Sequence, residues 1–346
     1  MTEAATTDTD TPTMKAAILH KNGDPLTEEV LSLDDVPIPE PKEGEFLVKI
    51  HAASINPVDW KLMNGDIPGY KSGPTGSDLA GTIEKIGPNT TTTDLKVGDA
   101  VYGDSIATKG SFGEYCIVPA TVASKKPSNI SFAEAASLPL AGLTALQGLQ
   151  NHGNFEKGQK VLIYGGSGGV GSLAIQMAKA LGASEVYSTG SNVELIKGLG
   201  ADVVVNYKEE SLMDALKGKD FDLVFDTIGG LEHWQIAQAS LKKGGRFITV
   251  VGDGGSLVSL IAKATWRKML GSVGLGIPYA FFLTDTTYDG LGKDMAQMTE
   301  MVEGGKVKAL LDERRFELTQ EGLQDFIKAS MSHRAKGKLI LQVQKE

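Results

Sequence analysis

At 346 residues the chain is too long for one hydrophobic core, because cores stop growing at about 250–300 residues; two domains are therefore expected. Its 41% hydrophobic and 22% charged content is that of an ordinary soluble globular protein. A formal charge of −9 argues against a nucleic-acid partner, which needs a concentrated basic surface. The single cysteine, Cys116, excludes an internal disulfide and any multi-cysteine zinc site, and suits a reducing compartment.

Residues 1–13, MTEAATTDTDTPT, are polar and acidic, and lack both the apolar core of a secretory signal and the arginines of a transit peptide; a disordered tail is expected. No run of about eighteen uninterrupted apolar residues occurs, so no membrane-spanning segment is expected and the default compartment is cytoplasmic. From Met14 to about Ile130, short apolar stretches (Met14–Leu19, Glu45–Ala52, Ala80–Ile86, Phe112–Val118) alternate with Gly, Pro and Asp/Asn turns, the pattern of a small β barrel or sandwich. After Ser131 strands alternate with helices, as in a parallel sheet with crossover helices. Strand Lys160–Tyr164 leads into a glycine-rich turn and a helix with an apolar stripe at Val170, Leu173, Ala174, Met177, Ala178 and Leu181. Strands follow at Glu185–Ser188, Asp202–Asn206, Asp222–Asp226 and Arg246–Val251, with a helix at Val193–Leu199. The tail reads as helix Asp294–Glu303, extended segments near Ala309–Phe316, helix Gln320–Ser332 and strand Lys338–Val343. The expected architecture is α/β: a β-rich domain formed by residues 14–130 and 289–346, interrupted by a dinucleotide-binding domain at 131–288.

Gly166-Ser167-Gly168-Gly169-Val170-Gly171 fits G-x-G-x-x-G, and Gly165, Gly168 and Gly171 fit G-x-x-G-x-x-G. One glycine permits the tight turn, one lets backbone approach a pyrophosphate, and one lets helix pack on strand. The helix N-terminus then offers free N–H groups and partial positive charge to phosphate. In a chain with 42 glycines the expression alone is weak; its place between a strand and an amphipathic helix supplies the context that separates it from a merely flexible turn. The segment after the second strand, Ser188-Thr189-Gly190-Ser191-Asn192, is small and neutral, without the acid that binds a ribose 2′-hydroxyl in NAD sites; it favours NADPH over NAD, or is an ordinary polar loop.

AASINPVDWKLMNG (52–65), GSDLAGTIEKIG (76–87), VGDAVYG (97–103), GSFGEYCIVPA (110–120), AASLPLAGLTALQGL (135–149) and the glycine turn together resemble the medium-chain dehydrogenase/reductase superfamily over nearly the whole chain outside the tail. The resemblance implies a Rossmann domain beside a GroES-like catalytic domain. Zinc alcohol dehydrogenases of that superfamily carry Cys, His and Cys where this chain has Asn56, Ser77 and Leu140, a set that cannot hold catalytic zinc; the four-cysteine structural zinc lobe is also missing. INPVDWK is similar to the zinc-free quinone and enone oxidoreductase branch, including the chloroplast-envelope quinone oxidoreductase homologue. That branch implies hydride transfer from NADPH to a quinone or an α,β-unsaturated carbonyl.

By the same resemblance Asn56 stands near nicotinamide and acceptor, unless it is simply a turn former before Pro57. Lys61 places a cation near a developing enolate or lies solvated on a helix face. Tyr70 donates a proton or packs as a loop aromatic. Thr144 meets the nicotinamide or its ribose, or back-bonds its own helix. Tyr207 and Arg334 match residues near the 2′-phosphate, with Ser191 or Asn192 where many relatives have a basic residue. Val250 and Gly252 end the strand beside the carboxamide, or are a plain strand end. His20, His51, His152, His233 and His333 show no metal-ligand spacing and read as structural; Cys116 reads as a buried hydrophobe. The apolar stretch Leu257–Leu283, with Lys263, Trp266, Arg267 and Lys268 interspersed, reads as an active-site cover and homodimer edge, or as a peripheral membrane contact. An enoyl-thioester reductase remains an alternative, although Ile67 stands where that branch has its tyrosine; a non-catalytic NADPH-binding protein is the other.

Overall fold

The computed structural model describes residues 12–90, 94–252, 257–286 and 290–344. The expected tail therefore lies outside the described residues as far as position 11, and so does the expected domain boundary at 288/289. Thr13 is not part of a tail: it begins β1 (Thr13–Leu19), which pairs antiparallel with β2 (Leu31–Pro37), Thr13 opposite Pro37.

β3 (Glu45–Ser54) feeds α1 (Pro57–Asn64), whose start is written locally. Pro57 presets the first helical φ, Asp59 accepts a hydrogen bond from the Asn56 backbone N–H at 2.7 Å, and Gly65 closes the helix at φ 86°. β4 (Gly73–Pro74) adds to β1, giving a three-stranded sheet in the order β2-β1-β4. β5 (Asp78–Ile86), β6 (Ala100–Asp104), β7 (Tyr115–Pro119) and β8 (Ala123–Lys125) build the second sheet on β3.

α2 (Phe132–Ala136) opens with a reciprocal capping box between Ser131 and Glu134, and α3 (Pro139–Gln147) follows. The third sheet is entirely parallel. It contains β9 (Lys160–Tyr164), β10 (Glu185–Thr189), β11 (Val203–Val205), β12 (Phe221–Asp226), β13 (Leu241–Thr249) and β14 (Tyr279–Phe281), in the order β11-β10-β9-β12-β13-β14. Both faces are covered, so Val161, Leu162, Ile163 and Tyr164 are all fully buried and the strand reads as a continuous apolar run. The covering helices include α4 (Gly169–Ala180), α5 (Val193–Gly198), α6 (Leu212–Leu216), α7 (Leu231–Ser240) and α8 (Leu257–Ser272). Strand order reverses between β9 and β12, where ligands sit in open α/β sheets.

α9 (Leu291–Glu303), β15 (Leu311–Glu317), α10 (Gln320–Met331) and β16 (Lys338–Gln342) close the chain. β16 pairs antiparallel with β3, Ile340 opposite Ser54, so the C-terminal strand lies in the sheet of the N-terminal half. Gly337 N–H donates to the Ser167 carbonyl at 3.0 Å, tying β16 to the glycine turn.

Two local expectations change. α4 is buried all round from Gly171 to Ala178, not on one stripe, because α3 packs on its outer face and Gln176 exchanges two hydrogen bonds with the Lys308 backbone. β13 starts at Leu241 and stops at Thr249, so Val250 and Gly252 belong to the turn beyond the strand, not to its end. Gly252 carries φ 74° there and accepts from Gly230 N–H at 2.8 Å.

Gly337 has φ 88°, and a Cβ added to it would lie 2.3 Å from the Leu310 carbonyl oxygen. Gly337→Ala should destabilise the chain by about 1–3 kcal/mol; a thermal unfolding midpoint unchanged from wild type refutes that.

Candidate active site and dinucleotide cleft

A cleft of about 710 Å³ opens at the strand reversal, lined by the ends of β9, β10 and β12 on one side and by Asn56, Ala141 and Lys338 on the other. The glycine turn forms its floor, and a side chain has no room at three of its glycines. Gly165 has φ 79° and no room for a side chain beside Thr227 and Ile228. A Cβ on Gly166 would meet Ser188 Oγ at 2.3 Å, and one on Gly171 would meet the Gly165 carbonyl oxygen at 2.2 Å. Gly168 is different: it lines the cleft, and an added Cβ there finds only the Gly165 oxygen at 3.3 Å. That cradle, open to the cleft at the N-terminus of a buried twelve-residue helix, fits a dinucleotide pyrophosphate.

Around the turn, Thr189 Oγ1 accepts from Gly165 N–H at 3.2 Å, and Thr189 lines the cleft together with Ser167, Gly169, Val170 and Tyr207. Ser188 lies beneath instead: it is fully buried, and its hydroxyl donates to the Ile163 carbonyl at 2.8 Å. Asn192 caps α5 by accepting from Leu195 N–H, and Ser191 is exposed; neither lines the cleft. Tyr207 is 54% exposed on the rim beside Glu210, an acid the sequence reading passed over. Arg334 is exposed between two cleft residues, His333 and Ala335, and its guanidinium makes no hydrogen bond or ion pair among the described residues. Val250 and Gly252 do not line the cleft.

On the opposite wall, a buried polar cluster holds β3, α1, β5, α3 and β16 together. Asp78, at the start of β5, is fully buried: Oδ1 accepts from the Leu140 backbone N–H at 2.8 Å, capping α3, whose own N-cap residue Leu138 has no side chain to do so. Asp78 Oδ2 accepts from Ser54 Oγ (3.1 Å), Asn56 Nδ2 (2.8 Å) and Lys338 Nζ (3.1 Å). Lys338 Nζ also donates to Asn56 Oδ1 at 2.6 Å and to the Ile55 carbonyl at 3.1 Å. Asn56 Nδ2 reaches Ser77 Oγ at 3.2 Å. Both amide hydrogens of Asn56 and all three ammonium hydrogens of Lys338 are thus engaged.

Of the catalytic candidates only Asn56 lines the cleft. Lys61 lies half-buried on α1 with its ammonium over the Trp60 ring, 5.6 Å from the centroid. Tyr70 donates its hydroxyl to the Pro74 carbonyl, and burial pushes that hydroxyl up to about 12. Thr144 is buried and back-bonds the Leu140 carbonyl at 2.6 Å while meeting the Thr284 hydroxyl, which docks the segment after β14 on α3. His233 lines the cleft, paired with buried Asp226 at 3.0 Å and stacked on Tyr164 at 4.1 Å; His333 lines it as well. Asp78 stands inside a segment used for the family resemblance and Lys338 lies four residues after Arg334, but no spacing signals that residues 260 apart in sequence meet. Burial pushes the Cys116 thiol up to about 12, as suits a hydrophobe.

Two further carboxyls, Asp59 and Asp104, flank Asp78. Burial, and then repulsion from Asp78, raises Asp104 to about 8, and Asp104 Oδ2 has no hydrogen-bond partner among the described residues. Burial raises Asp59 to about 7, against the opposing effect of the Asn56 N–H. Among the described residues no group of three or more His, Cys, Asp or Glu is arranged to hold a metal ion.

A family model described as alcohol dehydrogenase GroES-like domain matches residues 42–128, and one described as zinc-binding dehydrogenase matches residues 199–341, beyond positions 56, 77 and 140. The chain is 39% identical over 299 residues to a 2-methylene-furan-3-one reductase of Solanum lycopersicum, covering 82% of this chain and 68% of that protein. It is 36% identical to a chloroplastic NADPH-dependent alkenal/one oxidoreductase of Arabidopsis thaliana, covering 82% and 69%. The structure of the quinone oxidoreductase from Coxiella burnetii superimposes with a TM-score of 0.80 at 30% identity, over 96% of this chain and 100% of that one.

A carboxyl held protonated by the fold costs stability once the unfolded chain ionises. Asp104 therefore lowers stability progressively as pH rises from about 4, the ordinary carboxyl value, toward about 8, where the folded state also loses its proton. Asp104→Asn should accordingly gain in melting temperature relative to wild type between pH 5 and pH 8; a difference that stays flat across that range refutes the assignment.

Proposed function

Because this chain belongs to the medium-chain dehydrogenase/reductase superfamily, we propose that it is a zinc-independent, NADPH-dependent reductase of quinones or α,β-unsaturated carbonyls. The observation that carries this reading is the juxtaposition of the glycine cradle with the Asn56–Asp78–Lys338 cluster across one cleft. Gly168, Ser167, Thr189 and Tyr207 would hold NADPH on the cradle, where it would supply a hydride. Asn56, Ser77 and Leu140 stand where zinc relatives have metal ligands, and their donor chemistry suits no zinc ion. A conjugated acceptor needs none, since the negative charge it gains spreads onto oxygen. We assign the proton that completes the reduction to solvent, because the expected donor Tyr70 is tied to Pro74 and does not line the cleft.

The preference for NADPH rests on the neutral Ser188–Asn192 segment, on Arg334 beside the cleft, and on the relative named as NADPH-dependent. We also infer a homodimer through β14, the edge of the parallel sheet, flanked by exposed Trp266, Met269, Val273 and Leu275. Among the described residues no helix is long and apolar enough to cross a membrane.

Oxidation of NADPH and NADH is to be followed against quinones, short enones and enoyl-CoA thioesters, with and without chelator. The expected outcome is chelator-resistant turnover of quinones or enones, faster with NADPH. Arg334→Ala should raise the KM for NADPH about tenfold, the effect of losing one charge-assisted contact of about 1.4 kcal/mol, with little change for NADH. Turnover confined to thioesters selects the enoyl reductase alternative; tight cofactor binding without turnover selects a binding protein. For the dimer, light scattering should give twice the 36.6 kDa chain mass; a monomer that instead sediments with anionic vesicles selects peripheral membrane contact.

A further inference from the structure

We propose that Lys338 is the resident cation of the reaction centre, a positioning residue that locks the Asn56 amide and presents fixed positive charge to the acceptor oxygen. The proposal rests on the reductase reading above and assigns to Lys338 the electrostatic role expected of Lys61.

The ammonium sits where positions 56, 77 and 140 converge. It lies 2.6 Å from Asn56 Oδ1, Asn56 Nδ2 is 3.2 Å from Ser77 Oγ, and Leu140 N–H is 2.8 Å from the Asp78 carboxylate that Lys338 pairs with. The pair has a direction: Lys338 lines the cleft, whereas Asp78 is fully buried behind it and does not. The positive member of the pair therefore borders the cleft and the negative member lies behind it. With only 7% of the lysine side chain exposed, solvent screens that charge little. Its height above the dinucleotide is set by contact, because a Cβ on Gly169, in the first turn of α4, would come 2.9 Å from Lys338 Cδ. The lysine stem thus packs directly on the phosphate-binding turn.

The chemistry follows from hydrogen bonds already made. When hydride reaches the β-carbon of an enone, the C=C electron pair shifts toward the carbonyl and leaves an enolate oxygen. The cofactor is oxidised by two electrons, the acceptor is reduced by two, and a solvent proton later neutralises the carbon. Since all three N–H groups of Lys338 are engaged, it gives up no proton; it stabilises the oxyanion by its field. It also holds Asn56 with the amide oxygen toward the ammonium and the amide hydrogens toward Ser77 and Asp78. Fixed charge that needs no reorganisation during reaction is the efficient form of such stabilisation.

The test compares Lys338→Met with the double variant Lys338→Met/Asp78→Asn, which removes both charges and leaves no unpaired carboxylate. Three quantities are read: the thermal unfolding midpoint, binding of p-nitrophenolate against p-nitrophenol without cofactor, and single-turnover NADPH oxidation by an enone. Lys338→Met should melt lower, because Asp78 loses its partner, and the double variant should regain most of that loss. Both should lose the preference for phenolate by about tenfold and slow enone reduction by about a hundredfold, as when an oxyanion partner is removed. Recovery of phenolate binding and turnover together with stability in the double variant overturns the proposal, as does a wild type that does not prefer phenolate. If the single variant fails to fold, the double variant decides. A wild type that prefers phenolate but reduces no acceptor sinks the reductase reading and leaves Lys338 as an anion site.

Discussion

A carboxylate and an ammonium taken out of water must find all their hydrogen bonds inside the protein, and Asp78 and Lys338 impose that demand on the whole molecule. Between them they engage Ser54 at the end of β3, Ile55 and Asn56 at the entry to α1, and the backbone N–H of Leu140 at the start of α3. Four segments far apart in sequence are thereby held in one geometry. Breaking such a pair by removing one partner typically costs about 3–5 kcal/mol, chiefly because the survivor is left buried and uncompensated. The pair is therefore a strong specifier of arrangement even where its net contribution to stability is small.

The same lysine connects the two halves of the cleft. Its stem lies against Gly169, and the residue before it, Gly337, donates a backbone hydrogen bond to Ser167. The phosphate turn and the C-terminal strand thus share contacts at atomic range. Any displacement of β16 moves both the floor of the cleft and the cation on its wall. This explains why the turn needs a glycine at a position the dinucleotide fingerprint leaves free.

Interior charge is in surplus on the acidic side. Asp78 lies close enough to raise both Asp59 and Asp104, and Lys338 is the cation that hydrogen-bonds Asp78. Burial holds Asp104 largely protonated near neutrality and Asp59 partly so, while Asp78 is the carboxylate that receives four donors. A protonation pattern of this kind is invisible in formal charge and follows only from burial and proximity.

The parallel sheet, its glycine turn and the return of the C-terminus were legible from residue order, because each is written in short-range signals: apolar runs for doubly covered strands, G-x-G-x-x-G between strand and helix, and the Ser131–Glu134 capping box. Residue order also names Asn56, Ser77 and Leu140, and their poverty in zinc donors is a property of the side chains themselves, whatever surrounds them. Tertiary structure alone decided which polar side chains face the cleft. Lys61 and Tyr70 carry suitable chemistry but are turned to Trp60 and Pro74. Lys338, His233 and Glu210, unremarkable in sequence, line the site. Local sequence determines which backbone conformations are affordable, whereas the direction of a long polar side chain is set by partners that only the folded chain brings within hydrogen-bonding distance.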